Sequence, residues 1–328
     1  MHKRVFLLLI FLLVSGTAVT AAGLDPGYDP RAQEVIVNLF MRNKIDPEMN
    51  SDLSSFCRKA PPECRNAPFT CTYECEGGRK CDFLSLAWSD EAAPGRKQLV
   101  GLEMDSFVPW FGDADISGLP FLKRLVMPIE YFTSLDLRGN TALEFLVVRS
   151  DKLRLLDLSS NPGLKTVISC NSALHEIELG ANQLKRLEEV ALANNRLPLS
   201  QLAKFSGRAD VAAVFGMQEN VFFEHRTFKR VSEATLDFSA EVAVAGHPTD
   251  FRVTDEHGQA IEDGDIYTEN RGVITFRKPG RYRVLMTNPA VPACTRKKAD
   301  SASSLCTPCD EFEPGPTRVY SGIVEIAG

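Results

Sequence analysis

The sequence predicts an α/β-type solenoid dominated by β, followed at its C-terminal end by a β-sandwich. Three observations predict it. Apolar residues recur at a fixed spacing between Leu122 and Leu197, the pattern switches to period-two alternation after about Gly216, and most cysteines sit in the flanks of the periodic region.

In the periodic region, apolar residues fall at offsets 0, 3 and 5, and a turn-forming polar residue usually follows at offset 8. The units are Leu122, Leu125, Met127; Phe132, Leu135, Leu137, Asn140; Leu143, Leu146, Val148, Asp151; and Leu153, Leu156, Leu158, Asn161. They continue through Leu164, Val167, Ser169, Ser172; Leu174, Ile177, Leu179, Asn182; and, after a short slip, Leu187, Val190, Leu192, Asn195, Leu197. This is the L-x-x-L-x-L-x-x-N-x-L signature of a leucine-rich repeat. Offsets 3 and 5 point to one face of a short strand, and an Asn after the strand can bond turn backbone. No unit can bury its apolar face alone, so each stacks on its neighbours.

Units alternate between 11 and 10 residues, a double period of 21. One strand per coil therefore lines a concave sheet and the other half-turn forms the back. The units starting at Leu122, Leu143, Leu164 and Leu187 are assigned to the concave sheet, and the LDLRGNT, LDLSSNP and IELGANQ segments to the convex side.

Upstream, Lys3 and Arg4 precede an apolar run from Val5 to Val14 and a plausible cut after Ala21, the layout of a cleavable export signal over residues 1–21. No other segment is long and apolar enough for a spanning helix, so a soluble, exported product is expected: secreted, at the cell surface, or periplasmic. Residues 22–96 form a Cys-rich flank. Within it Pro30 to Lys44 reads as a helix with an apolar stripe of Val35, Val37, Leu39 and Phe40, and Phe83, Leu84, Leu86 and Trp88 are suited to cover the first coil. The solenoid is placed at 97–215, beginning weakly at Leu99, Leu102 and Met104 and passing an irregular insert from Val108 to Gly118.

Residues 216–328 read as short strands: Ala234 to Phe238, Glu241 to Val244, Asp250 to Val253, Val273 to Phe276, Tyr282 to Met286 and Val319 to Ile326. Turn residues such as His257-Gly258 and Pro279-Gly280 separate them. That organisation suits an immunoglobulin-like β-sandwich. The nine cysteines fit an oxidising compartment. Cys57, Cys64, Cys71, Cys75 and Cys81 precede the repeats, and Cys294, Cys306 and Cys309 form a late cluster. All eight are structural disulfide candidates, with Cys306 or Cys309 bonded to Cys294 as one option, whereas Cys170 stands alone inside the solenoid.

With LRLLDLSSNPGLKTVISCNSALHEIELGANQL, VALANNRLPLSQLAKF, ATLDF and ITFRKPGRYRVLMTN in hand, the chain resembles the bacterial extracellular leucine-rich repeat proteins, including the internalin type. The likeness covers roughly residues 120–328. It implies 21-residue coils, an immunoglobulin-like cap and a surface role in binding or adhesion. Some relatives carry Cys at offset 5 of the concave strand, forming a ladder. Here Met127, Val148, Ser169 and Leu192 hold that place, so no such ladder is expected.

The candidate binding face consists of Arg124, Val126, Phe145, Val147, Arg149, Thr166, Ile168 and Glu189. Its offset-4 column, Val126, Val147, Ile168 and Ala191, is apolar throughout, and an exposed apolar column with arginines at its edge suits a protein interface. A protein ligand is the expected partner, and self-association through the same column as an envelope component is the alternative. The net charge of −6 argues against nucleic acid. Catalysis finds no support. The histidines lack metal-ligand spacing, no catalytic residues, metal or cofactor are expected, and Cys306-Thr-Pro-Cys309 lies between strands beside Asp310 and Glu311, which oppose the thiolate that redox chemistry needs.

Overall fold

The computed structural model describes residues 27–42, 72–75, 79–82, 84–90, 95–104, 111–180, 183–205, 211–262, 264–295, 306 and 315–328. The expected export signal and Cys57, Cys64, Cys71 and Cys309 lie outside the described residues. What is described is a β-dominated solenoid with few helices. The chain divides into two compact units, Met1–Val167 with Glu178–Arg186, and Ile168–Ile177 with Leu187–Gly328.

The leading unit opens with helix α1 (Pro30–Arg42). The Asp29 carboxylate accepts the Ala32 N–H at 2.9 Å and Pro30 occupies the first helical position, a standard start signal. Ala32, Val35 and Ile36 are buried; Val37, Leu39 and Phe40 of the expected stripe have no described side chains. Strands β1 (Thr72–Cys75) and β2 (Arg79–Asp82) pair as an antiparallel hairpin. Cys75 and Cys81 lie on these two strands without being cross-strand partners.

The main sheet of this unit is built from β3 (Leu84–Ser89), β4 (Gln98–Met104), β6 (Arg124–Asp136) and β7 (Phe145–Ser150), in that order. The first step is antiparallel and the rest are parallel. Tyr28 meets Trp88 edge-on at 4.8 Å, so the flank is joined to the first strands by aromatic contact. Strand β5 (Phe111–Asp115) pairs in parallel with the second half of β6. The insert expected to be irregular thus contains a regular half-coil, its Ala114, Ile116 and Leu119 buried like the leucines of later coils. Strand β6 runs unbroken through two predicted units, carrying Pro128 within it. Strand β8 (Leu155–Asp157) follows on the back. Strands β9 (Thr166–Ile168) and β10 (Glu176–Glu178) lie where the chain passes between units.

In the trailing unit, β11 (Glu189–Ala191) and β12 (Ala212–Val214) pair in parallel, with the short helix α2 (Leu199–Leu202) between them. Strand β13 (Met217–Phe228) begins against the last coil, where Gln218 bridges Asn195, and then runs parallel to β21 (Arg318–Ile326). One sheet has the order β13-β21-β20-β17, with β17 Asp250–Asp255 and β20 Gly280–Thr287. A second contains β14 (Thr235–Asp237), β19 (Val273–Phe276) and β18 (Tyr267–Asn270). Strands β15 (Ala243–Val244) and β16 (His247–Pro248) form a small hairpin.

The two sheets bury Leu236, Ile274 and Phe276 on one side and Val253, Val284, Met286 and Val324 on the other. The rings of Phe276 and Tyr282 stack across them at 5.1 Å. The six expected strands are present, that at Glu241–Val244 shortened to Ala243–Val244, and β13, β16 and β18 are additions. Strand β13 requires glycine in its partner, since a Cβ on Gly322 would fall 2.0 Å from the Phe223 carbonyl oxygen.

Candidate functional site

The strands that carry the candidate residues are held in place by buried amides behind them. In the leading unit, Asn140 donates to the Ile116 carbonyl at 3.0 Å and accepts from the Leu119 N–H at 2.8 Å. Asn161, next in line, donates to the carbonyls of Leu137 and Asn140 at 2.9 and 3.1 Å. The third rung is Gln183; the expected Asn182 lies outside the described residues. Gln183 donates to the Asn161 carbonyl and accepts from the Gly180 N–H.

The trailing unit repeats the device with Asn195 and Gln218. Asn195 donates to the carbonyls of Ser169 and Leu192 and accepts from the Leu174 N–H. Gln218 donates to the carbonyls of Leu192 and Phe215 and accepts from the Leu197 N–H. Gln218 closes a coil through Ala213 and Phe215 that has the repeat spacing but no leucine, which is why sequence reading stops at Leu197.

On the back of the leading unit, Asp115, Asp136 and Asp157 each accept the backbone N–H two residues on, from Ser117, Arg138 and Ser159. Burial works against ionising Asp115, but the Ser117 hydroxyl and N–H together with Arg31 outweigh it and hold the carboxyl below its ordinary value. Arg138, hydrogen-bonded to Asp136, lowers that carboxyl too. These aspartates shape turns.

On the main sheet of the leading unit, Arg124 bridges two neighbours. Its guanidinium pairs with Glu103 on β4 and stands 3.9 Å from the centre of the Phe145 ring on β7. Arg124 and Glu103 remain 43% and 42% exposed, enough to meet a partner. Val126, Phe145, Arg149 and Thr166 are partly exposed. Val147 was expected to be exposed and is buried. It stands opposite Val126 in register, and Phe145 and Arg149 share its face two residues away on either side.

In the trailing unit the expectation fails more completely. Ile168 and Ala191 are both fully buried, and Glu189 is partly exposed. Cys170, expected to stand alone, is disulfide-bonded to Cys306, with Cα atoms 5.3 Å apart. Cys294 is disulfide-bonded as well, and of its two expected partners, Cys306 and Cys309, the first is taken by Cys170. Backbone topology explains the change. Cys294 bridges Val214 antiparallel, and Thr295 accepts the Ala213 N–H through its hydroxyl at 2.8 Å. The late insertion thereby returns along β12, beside the strands it was not expected to meet.

Among the described residues, no group of three or more His, Cys, Asp or Glu is placed to hold a metal ion. No described helix is long and apolar enough to cross a membrane. No protein-family model matches the sequence, and no curated protein matches it. Among solved structures, the chain is similar to the functional domain of InlJ from Listeria monocytogenes, which includes a cysteine ladder. The TM-score is 0.34 at 14% identity, covering 66% of this chain and 48% of that one. So distant a likeness carries neither fold detail nor function across.

Proposed function

We propose that the chain is an exported, non-enzymatic protein-binding module, a leucine-rich repeat solenoid followed by an immunoglobulin-like sandwich, acting in adhesion at the cell surface or as a secreted product. The observation that carries this reading is the row Glu103, Arg124, Phe145 on three adjacent parallel strands. Each side chain is oriented by its neighbour, and the row stays half open to solvent. Arginine and aromatic side chains dominate contact energy at protein interfaces, and a row already ordered loses little side-chain entropy on binding. The protein ligand meets Arg124, Val126 and Phe145 first, with Arg149 and Thr166 contributing as polar rim. Val147, buried on the same face, stands between Phe145 and Arg149. The Cys170–Cys306 bond supports an oxidising compartment, since such bonds rarely persist in the reducing cytosol.

The test immobilises the full chain and exposes it to detergent-solubilised cell-surface proteins. A protein retained by the wild type and lost with both Arg124→Glu and Phe145→Ala, at unchanged melting temperature, is the expected result. Equal retention by the wild type and both variants overturns the reading.

A further inference from the structure

We propose that the protein partner is recognised through a carboxylate, an Asp or Glu side chain flanked by apolar residues, which Arg124 holds through its two terminal nitrogens. This rests on the reading of the Arg124 row as a protein-binding face and names the chemistry of what binds there. The guanidinium is only partly used by its own chain. Its Nε–H donates to Glu103, and its face lies over the Phe145 ring, 3.9 Å from the ring centre. Neither contact engages Nη1 or Nη2. Among the described residues these two nitrogens have no hydrogen-bond partner, and the side chain stays 43% exposed. A guanidinium carries only donors and no acceptor, so every donor except the Nε–H is left to water or to a ligand.

That free edge selects the ligand group. Nη1 and Nη2 form a planar fork that matches the two oxygens of one carboxylate, and such charge-assisted bonds are shorter and stronger than those between neutral groups. A ligand ammonium is repelled, and a neutral carbonyl engages one prong only. Glu103 decides between anions. Its own charge is bonded to the same guanidinium, so it opposes a dianionic phosphate more than a singly charged carboxylate.

Orientation supplies what net charge does not. With Glu103 on Nε and Phe145 against one face, the fork is fixed before a ligand arrives, so little rotamer entropy is lost on binding. The ring also keeps water from that face, and a charged bond gains strength where water is excluded. Val126 stands two residues along the same strand, on the same side of the sheet, and is partly exposed. It gives an apolar contact to the residue beside the ligand's carboxylate.

The experiment measures binding of the full chain to labelled peptides with Asp or Glu set among Leu, Val and Phe, beside twins carrying Asn or Gln instead. The acidic peptides should bind about tenfold or more tightly than their amide twins. Arg124→Lys keeps the charge but not the fork and should erase most of that preference. Arg124→Gln should erase all of it at unchanged melting temperature. Equal binding of acidic and amide peptides, or binding of neither, overturns the proposal. So does a preference that survives Arg124→Gln, or tighter binding of phosphoserine peptides than of acidic ones. Where the carboxylate preference fails but a surface protein is still retained by the wild type and lost with Arg124→Glu and Phe145→Ala, only this proposal falls. Where no surface protein is retained either, the protein-binding reading falls with it.

Discussion

Coils in the leading and trailing units meet the same physical demand with unequal completeness. Each coil must satisfy buried turn backbone, since an orphaned buried group costs about 1–3 kcal/mol. In the leading unit Asn140 and Gln183 use both ends of the amide, whereas Asn161 uses its nitrogen alone and its buried Oδ1 finds no hydrogen-bond partner. In the trailing unit Asn195 and Gln218 use both ends of the amide. The choice of amide follows coil length. Asparagine suffices for a step of 21 residues, as from Asn140 to Asn161, and the longer glutamine stands where the step is extended. The trailing unit adds a covalent tie, Cys170–Cys306. Spacing sets where a rung falls, then, and side-chain length and cross-links decide how firmly it holds.

Removing the tie is the largest test of this contrast. Cys170→Ser should cost about 2–5 kcal/mol, the range for native disulfides closing long loops. The sequence separation here is 136 residues. Native-state hydrogen exchange should show faster exchange at Leu192, with the amides of Leu125 and Leu146 unchanged. Equal acceleration in both places would mean that the bond stabilises the whole chain rather than the trailing unit.

The amide rungs come next. Asn195→Ala strands buried groups at both ends and should cost about 2–4 kcal/mol in urea unfolding, whereas Asn161→Ala should cost about half that. A reversed order would break the link between bonding completeness and stability. Smaller again is Glu241, a buried carboxylate that accepts the Ser200 N–H at 2.9 Å and its hydroxyl at 2.5 Å at the start of α2. Glu241→Ala should lower stability by about 1–3 kcal/mol, and Glu241→Gln by less, because an acceptor oxygen is kept. Identical losses would show that charge, and not acceptance, is what α2 needs.

The solenoid was legible because leucine spacing is a direct record of strand and turn geometry. Concave and convex assignments follow from the same spacing: β6, β7, β9 and β11 fall in one set and β8 and β10 in the other. Reading failed where the record is written in other residues. The half-coil at Phe111–Asp115 and the last coil at Ala213 and Phe215 carry the spacing with alanine, isoleucine and phenylalanine. Gln183 took a role that pattern matching assigned to its neighbour. The concave column was misread for a different reason. Period-two alternation tells which face a side chain points to, but not whether something distant in sequence lies against that face. Thr295 meets Ala213 across 82 residues and Cys306 bonds to Cys170 across 136, and no local pattern encodes either link. Arg124 and Phe145 were identified from sequence; their mutual stacking, with Glu103 as third member, was not.

The smallest effect separates the units by acid. Asp115 and Asp136 in the leading unit have depressed carboxyl pKa values, so each adds stability that is fully present above the ordinary aspartate value of 3.8. That contribution disappears as pH falls through the lower folded value, where the native carboxylate takes up its proton. Both side chains are about one-third exposed or less and partly screened by solvent, so each accounts for under about 1 kcal/mol. Asparagine at either position keeps the acceptor oxygen for the turn N–H but cannot titrate. Between pH 5 and about 3, unfolding of Asp115→Asn/Asp136→Asn should therefore change less steeply than that of the wild type, with the difference confined to leading-unit probes such as Leu125. In the trailing unit, Asp237 is also lowered through its bonds to Ser239, but it is fully exposed. Asp237→Asn should leave the slope unaltered, and a slope change as large as that of the double variant would show that turn aspartates contribute alike wherever they sit.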